Sequence, residues 1–484
     1  MNKPEYGWWV KNAHTDSAYL LLVTDEHLFD QAIRSRCDAV GRTDVQGVIN
    51  QAKWRAIWEQ DRYGALSSIV EAIQPPITLG ATRPITGDIR IAGRAFRDDH
   101  GCWPVASISA FWAPWALDHD PGRLERMAEY AVGAGFTACR WFASHDWPGG
   151  LDPRHTPHYF EIMQRTVERL GELGLRSEVT LFTRRFLIDN LEEHAKQWGL
   201  IAQENRQYIG LLEIANEFNH SDNAVSPQDV RRAAEVIRAY CDTVPLALSA
   251  PAAESWEDMK AELGELYNGS VANCTTIHFP RKQNTEEGNW RWVRQPWHAR
   301  HNITGCPSGP YVDNEHQRWD KAAGGRQDVA VPVAALVTAF VAGCGWSTHH
   351  DNAGVHPDEE YAAVENAQAF QSTCRAVLPH VPGDLVNWQQ TRVGDGGPHP
   401  YPSLIDQHWS FENIDHGVSR AFAAVNGDRF VMSLTGVKKK VTLQEPHTSI
   451  TVFSLRTGDT VYTGPGPVTL QEADGSAFLV VGSV

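Results

Sequence analysis

The chain has 484 residues, 42% of them hydrophobic, and 43 Lys plus Arg against 59 Asp plus Glu give a formal net charge of −16. That length calls for two or three domains and that apolar content for a large core, which excludes wholesale disorder. The acidity excludes the basic footprint of a nucleic-acid or anionic-membrane binder, and no stretch approaches the ~20 apolar residues that span a bilayer.

Residues 1–82 form the first region. The run Ala18 to Val23 is too short for the apolar core of a signal peptide, so the chain reads without one. A helix pair is expected between Leu28 and Ile73, where Val45, Ile49, Ala52 and Ala56 recur at helical spacing and Pro75-Pro76 stops the pattern. This helical segment is either an arm for oligomerisation or anchoring, or a collar packed on the next domain. The collar is the preferred reading.

Residues 83–380 form the second region. A hairpin over Asp88 to Ala95 opens it, with Ala92-Gly93 near the turn. Eight strand-like runs follow: Val105–Phe111, Thr137–Phe142, Arg176–Phe182, Gly210–Ala215, Leu246–Ala250, Cys274–Phe279, Tyr311–Asn314 and Gly343–Thr348. Helical patterns lie between several of them. Leu124, Met127, Ala128 and Ala131 share one face; Phe160, Met163, Val167 and Leu170 share another. Ser226-Pro227 with Asp229 reads as the N-cap, first and third residues of a helix carrying Val230, Ala233, Ala234 and Ile237. Later helices are expected over Val331–Val341 and Tyr361–Val377. Alternation of this kind predicts an α/β fold, a (β/α)₈ TIM barrel. A doubly wound sheet would want a glycine-rich phosphate turn after its first strand, but that place holds Phe111-Trp112-Ala113-Pro114-Trp115.

Residues 381–484 lack helical patterns and show short alternating runs at Phe422–Val425, Phe430–Leu434, Val441–Gln444, Ile450–Ser454 and Phe478–Val481. Asn426-Gly427 is a hairpin signal, and the region reads as a small C-terminal β-sandwich. Carbohydrate binding and a purely structural appendage are both open for it. The eight cysteines form no C-x-x-C pair and suit buried apolar positions, which favours a cytoplasmic location over secretion. Tryptophan is abundant at 18 residues, and its flat face suits either sugar stacking or core filling.

Reacting groups in a barrel sit at the C-terminal ends of strands. The fourth strand run ends in Asn216-Glu217 and the seventh in Asn314-Glu315. Hydrolysing an acetal takes two carboxyl groups flanking the anomeric carbon, one protonated and one ionised. Glu213 and Glu178 are expected to point into the lower barrel and pair with basic groups. His349-His350-Asp351 could line the mouth, while a metal-dependent hydrolase would want His-x-His on the first strand, which has no histidine.

Glu213-Ile-Ala-Asn-Glu217 resembles the fourth-strand motif of clan A glycoside hydrolases, the family 5-like cellulases and mannanases. The resemblance runs from about Trp103 to Val355 by motif order. It implies Glu217 as acid/base and Asn216 on the sugar 2-hydroxyl. Pro310-Tyr-Val-Asp-Asn-Glu315 is similar to the family's seventh strand, which implies Glu315 as nucleophile, with Asp313 as a competitor. Arg140 resembles the second-strand arginine that keeps the nucleophile ionised, His278 a sixth-strand site residue, and Trp346 the eighth-strand tryptophan beneath the sugar. Trp112, Trp141 and His349 are further substrate-contact candidates. The sequence departs from the pattern at His316, where an aromatic or proline is usual, and at Phe279-Pro280, where a tyrosine often follows the histidine. The resemblance thus implies a retaining hydrolase of a β-linked glucan or mannan, with an oligo- or polysaccharide as its partner and no cofactor or metal. The rival is a non-catalytic carbohydrate-binding or structural protein, such as a virion or surface component with a decayed barrel.

Overall fold

The computed structural model describes residues 6–11, 18–23, 84–223, 225–253, 255–278, 293, 296–297, 303, 305–315, 329–393, 421–437, 440–443, 449–471 and 476–483. Two compact units divide the chain, Met1–Ile77 and Thr78–Val484. In the first, β1 (Tyr6–Lys11) pairs antiparallel with β2 (Ala18–Val23), Tyr6 opposite Val23 and Lys11 opposite Ala18. The sequence reading had no strand here, although both segments are rich in the aromatic and branched residues that suit a pleated surface. The helix pair expected between Leu28 and Ile73 lies outside the described residues.

The second unit opens with β3 (Arg90–Ala92), β4 (Ala95–Asp98) and β5 (Gly101–Cys102), a small antiparallel sheet. Gly93, at φ 59°, makes the expected turn. The barrel strands follow: β6 (Ala106–Ser109), β7 (Ala138–Phe142), β8 (Arg176–Phe182), β9 (Ile209–Ala215), β10 (Leu246–Ala247), β11 (Thr275–Ile277), β12 (Tyr311–Asp313) and β13 (Cys344–Thr348). Each falls within or beside its expected run. All are parallel, in the order β10-β9-β8-β7-β6-β13-β12-β11. The remaining seam, between β10 and β11, is bridged where Asn273 N–H donates to the Leu246 carbonyl (3.1 Å) and Leu246 N–H to Asn273 Oδ1 (2.8 Å). The fold is therefore a TIM barrel.

Two-residue alternation sorts the strand side chains. Ile108, Cys139, Trp141, Val179, Leu181, Leu212, Ile214, Leu246, Ile277, Tyr311 and Trp346 pack into one large core with the helices outside. Their neighbours Val105, Ala138, Leu211, Ala247, Cys274 and Val312 form a separate apolar plug inside the barrel floor, with Phe96 and Trp103 beneath it. Gly210 is required there, because a Cβ at that position would lie 2.4 Å from Trp103 Cη2. The buried Arg176–Asp98 ion pair (3.0 Å) and the Arg176 guanidinium, 5.2 Å from the Trp103 ring, fasten the floor to the barrel.

The outer helices keep their expected faces. Leu124, Met127, Ala128 and Ala131 are buried on the helix Pro121–Gly133. The helix Pro227–Tyr240 starts as foreseen, with Ser226 accepting from Asp229 N–H at 3.1 Å. The helix Ala330–Val341 is apolar all round, and all its residues are buried. It lies between the barrel and a six-stranded antiparallel sheet that includes Ala421–Asn426, Arg429–Val437, Ser449–Ser454 and Ser476–Ser483. One face of that sheet, with Phe422, Ala424, Val431 and Leu479, joins the barrel's core, and Thr338 Oγ1 lies 2.8 Å from Ser433 Oγ. The other face, with Ala423, Phe430, Met432 and Val480, packs on Val468 and Leu470 of the ribbon formed by Lys440–Leu443 and Val468–Gln471. This is the expected sandwich, and Gly427 at φ 62° makes its hairpin turn. Among the described residues no helix is long and apolar enough to cross a membrane.

Candidate active site

The barrel interior changes character above its apolar floor. Ser107, Arg140, Glu178, Glu213, Thr276, Asn314 and Ser347 alternate inward on their strands, and all are buried. Arg140 is the only cation among them. Its Nη1 donates to Glu315 Oε2 at 3.1 Å, and its Nη2 to Glu213 Oε2 at 3.2 Å and Asn216 Oδ1 at 3.0 Å. Phe111 and Phe142, stacked at 3.7 Å, cover the guanidinium from 5.3 and 5.0 Å. A cation this deeply buried persists only because three carboxylates and an amide oxygen face it. Glu213 serves the layer rather than the mouth: it also accepts from Thr180 Oγ1 (2.7 Å), Thr276 Oγ1 (2.5 Å) and Asn314 Nδ2 (3.1 Å).

One step higher, His278 stands between the two strand-end glutamates. Its Nδ1 is 3.1 Å from Glu217 Oε1, and its Nε2 is 3.7 Å from Glu315 Oε2 and 3.4 Å from Arg140 Nη2. Arginine only donates, so Nε2 is an acceptor, and in the neutral ring Nδ1 carries the proton and donates to Glu217. Glu217, His278 and Glu315 each place one ligand-type atom within 4.8 Å of the others, the trio among the described residues that could hold a metal ion. The imidazole links Glu217, through Nδ1, to Arg140, through Nε2, the arrangement of a hydrogen-bonded relay rather than of one ion's coordination shell.

Glu217 sits at φ 42°, in the left-handed region that non-glycine residues seldom adopt. The surrounding backbone holds it there. Asn216 N–H donates to the Phe182 carbonyl (3.0 Å), Phe218 N–H to Ser249 Oγ (3.1 Å), and Asn223 Nδ2 to the Asn216 carbonyl (2.6 Å). The turn aims Glu217 at His278 while Asn216 reaches Arg140. Side-chain exposure separates the two glutamates, at 21% for Glu217 and 8% for Glu315.

The structure thus gathers Glu217, Glu315, Arg140, Asn216 and His278 into one cluster. It places the other candidates elsewhere. Trp346 belongs to the core outside the barrel wall, whereas its neighbour Gly345 faces inward, where a Cβ would lie 2.8 Å from Val105 Cβ. Asp313 pairs with Trp346 in register and so shares its side of the sheet. Trp141 packs 5.9 Å from Trp198 of the outer helix Leu191–Glu204. Trp112 is buried in the same core, its indole N–H donating to the Ala353 carbonyl at 2.9 Å. His349 is 1% exposed, its ring 5.3 Å from that of Phe111. His350 accepts from Ala353 N–H at 3.3 Å and so stabilises a turn. His316 and Phe279-Pro280 lie outside the described residues. Sequence reasoning missed the bridging geometry of His278 and the left-handed turn at Glu217, and neither has a local signal.

No protein-family model and no curated relative matches this sequence. A candidate glycoside hydrolase of known structure from Bacteroides vulgatus ATCC 8482 is 11% identical, matching 84% of this chain and 84% of its own with a TM-score of 0.52. A family 30 endoxylanase from Clostridium papyrosolvens C71 matches 83% of this chain and 98% of its own at 9% identity, TM-score 0.45. A family 5 mannosidase from Rhizomucor miehei matches 60% and 98% at 12% identity, TM-score 0.46. The first of these likenesses establishes a shared fold.

Proposed function

We propose that this protein is a retaining O-glycoside hydrolase of β-linked glycans, with Glu315 as nucleophile and Glu217 as acid/base. The observation that carries this reading is the pair of strand-end carboxylates, with an oxygen of each within 4.8 Å of the other. Retaining enzymes hold their carboxyl groups ~5–5.5 Å apart, whereas inverting ones leave ~6.5–9.5 Å for a water. The environments differ in the required sense. Arg140 binds Glu315 directly, which favours its ionised form. Glu217 is more exposed and accepts from His278 Nδ1 at 3.1 Å, a neutral partner that leaves the carboxyl able to carry a proton.

Glu315 attacks the anomeric carbon while Glu217 protonates the departing oxygen. Formation of the glycosyl ester removes the charge on Glu315, so the pKa of Glu217 falls and it takes a proton from the incoming water. Asn216, with Oδ1 engaged by Arg140, has its amide N–H₂ oriented for the sugar 2-hydroxyl. Glucans and mannans are the substrates to try first, in line with the motif resemblance.

A 2-deoxy-2-fluoro glycoside with a good leaving group tests this. The fluorine slows both steps, the leaving group rescues the first, and peptide mapping should find the label on Glu315. NMR of the first-formed product from a β-substrate should show the β-anomer. An initial α-anomer would overturn retention. No label and no hydrolysis across a panel of β-glycans would favour the non-catalytic carbohydrate-binding reading. Trp346→Phe should leave KM within about twofold while costing about 1–3 kcal/mol of stability, the price of a smaller buried ring. A KM rise of tenfold or more would return Trp346 to the substrate.

A further inference from the structure

Three carboxylates share one guanidinium inside the barrel, and their hydrogen bonding is unequal. Glu213 receives four donors, from Arg140, Thr180, Thr276 and Asn314. Glu315 receives Arg140 Nη1 at 3.1 Å. Glu178, 1% exposed, receives Ser347 Oγ at 3.3 Å on Oε2, while its Oε1 lies 3.9 Å from Arg140 Nε. That Oε1 and that Nε have no hydrogen bond of good geometry, and Asn314 and Ser107 stand close enough to the carboxyl for weaker ones. Three ionised carboxylates around one arginine would leave the layer at −2 with no water to spread the charge, so one of them is better neutral. Glu178, whose 3.9 Å approach to the guanidinium is too long for a hydrogen bond while Glu213 and Glu315 stand at 3.2 and 3.1 Å, is the one to carry the proton.

We infer that Glu178 is a positioning residue for the reaction proposed above: as a neutral acid it leaves the charge of Arg140 to Glu213 and Glu315. The inference deepens that reading, and its first half stands without it. The groups that face Glu178 come from the strands around it. Arg140 on β7 and Glu213 on β9 are the charged ones, Ser107, Asn314 and Ser347 are neutral, and burial pushes the nearby Cys139 and Cys274 thiols up, which keeps them neutral too. Burial raises the Glu178 carboxyl to about 7, against the pull of Arg140 and of the Asn314 and Ser107 side chains and with Glu213 adding to the rise. Above that pH an ionised Glu178 would draw Arg140 Nε towards itself and loosen the hold on Glu315.

The test compares wild type with Glu178→Gln, an isostere of the neutral acid. Infrared difference spectra in H₂O and D₂O should show a buried protonated-carboxyl band in the wild type that fades as pH rises through about 7 and is missing from Glu178→Gln. Glu217→Gln, which removes the other proton carrier, should keep this band, and it serves if Glu178→Gln does not fold. The acid limb of kcat/KM, which reports Glu315 ionisation, should stay where it is in Glu178→Gln, because one neutral group replaces another. A folded state that holds this extra proton loses stability as pH rises from the ordinary value of 4.5 towards 7, so wild-type Tm should fall across that window relative to Glu178→Gln. A downward shift of the acid limb by about one pH unit or more would mean that Glu178 carried charge, and overturns the inference. So do infrared bands identical in wild type and Glu178→Gln. A band that behaves as expected in a protein that cleaves no glycan supports the neutral acid and sinks the hydrolase reading instead.

Discussion

Glu217→Gln is expected to lower kcat on natural glycans by about 10²–10⁴-fold, the usual worth of a positioned proton donor. Glutamine keeps the size of the side chain and can still accept from His278 Nδ1, now 3.1 Å from Glu217, so the left-handed turn should survive. What disappears is the proton for the leaving oxygen and the base for the water. The loss should therefore depend on the leaving group. Aryl glycosides that depart as stable phenolates need little protonation and should still load Glu315. Azide should then accelerate turnover, because an anion attacks the glycosyl-enzyme without base help. Steady-state and burst kinetics over a leaving-group series measure this. Near wild-type rates on glycans would remove Glu217 from the mechanism.

Arg140→Met should cost about 3–5 kcal/mol of stability at neutral pH, the penalty for leaving buried charges without their partner. The methionine fills much of the space but strands Glu213 and Glu315, and it takes the hydrogen bond from Asn216. The pH dependence has a definite sign. Without the cation the stranded carboxylates hold their protons to higher pH in the folded state than in the unfolded one. The deficit should then shrink in acid and grow as pH rises. Urea unfolding at several pH values reads this directly, and catalysis should fall along with it because Glu315 loses its counter-charge. A loss below about 1 kcal/mol at neutral pH would mean that the layer is not held by Arg140.

The sequence by itself determined the succession of the barrel strands. Apolar runs bounded by Gly, Pro and polar residues marked each barrel strand, helical spacing marked the helices, and Asn426-Gly427 marked a hairpin that forms where expected. These are local signals, set by backbone preference and by the two periodicities of side-chain direction. The order of Arg140, Glu217, His278 and Glu315 along strand ends was legible for the same reason, since position on a strand is a property of the chain.

Which side of the wall a strand residue faces was decided only by tertiary structure. Trp346 and Asp313 read as site residues by motif and spacing. Closing the barrel, however, fixed the register in which Val312 and Gly345 face inward, and it put their neighbours outside. A one-residue step moves a side chain from the mouth to the helix layer, and a motif match does not carry that information. The same holds for the all-apolar helix Ala330–Val341, whose double burial needed the sandwich to arrive from far along the chain. The turn at Glu217 is likewise held by contacts from Phe182, Asn223 and Ser249, on either side of it in sequence. Strand order and the place of two glutamates at strand ends are thus properties of the chain, while long-range closure decided how Arg140, His278 and the buried Glu178 surround them.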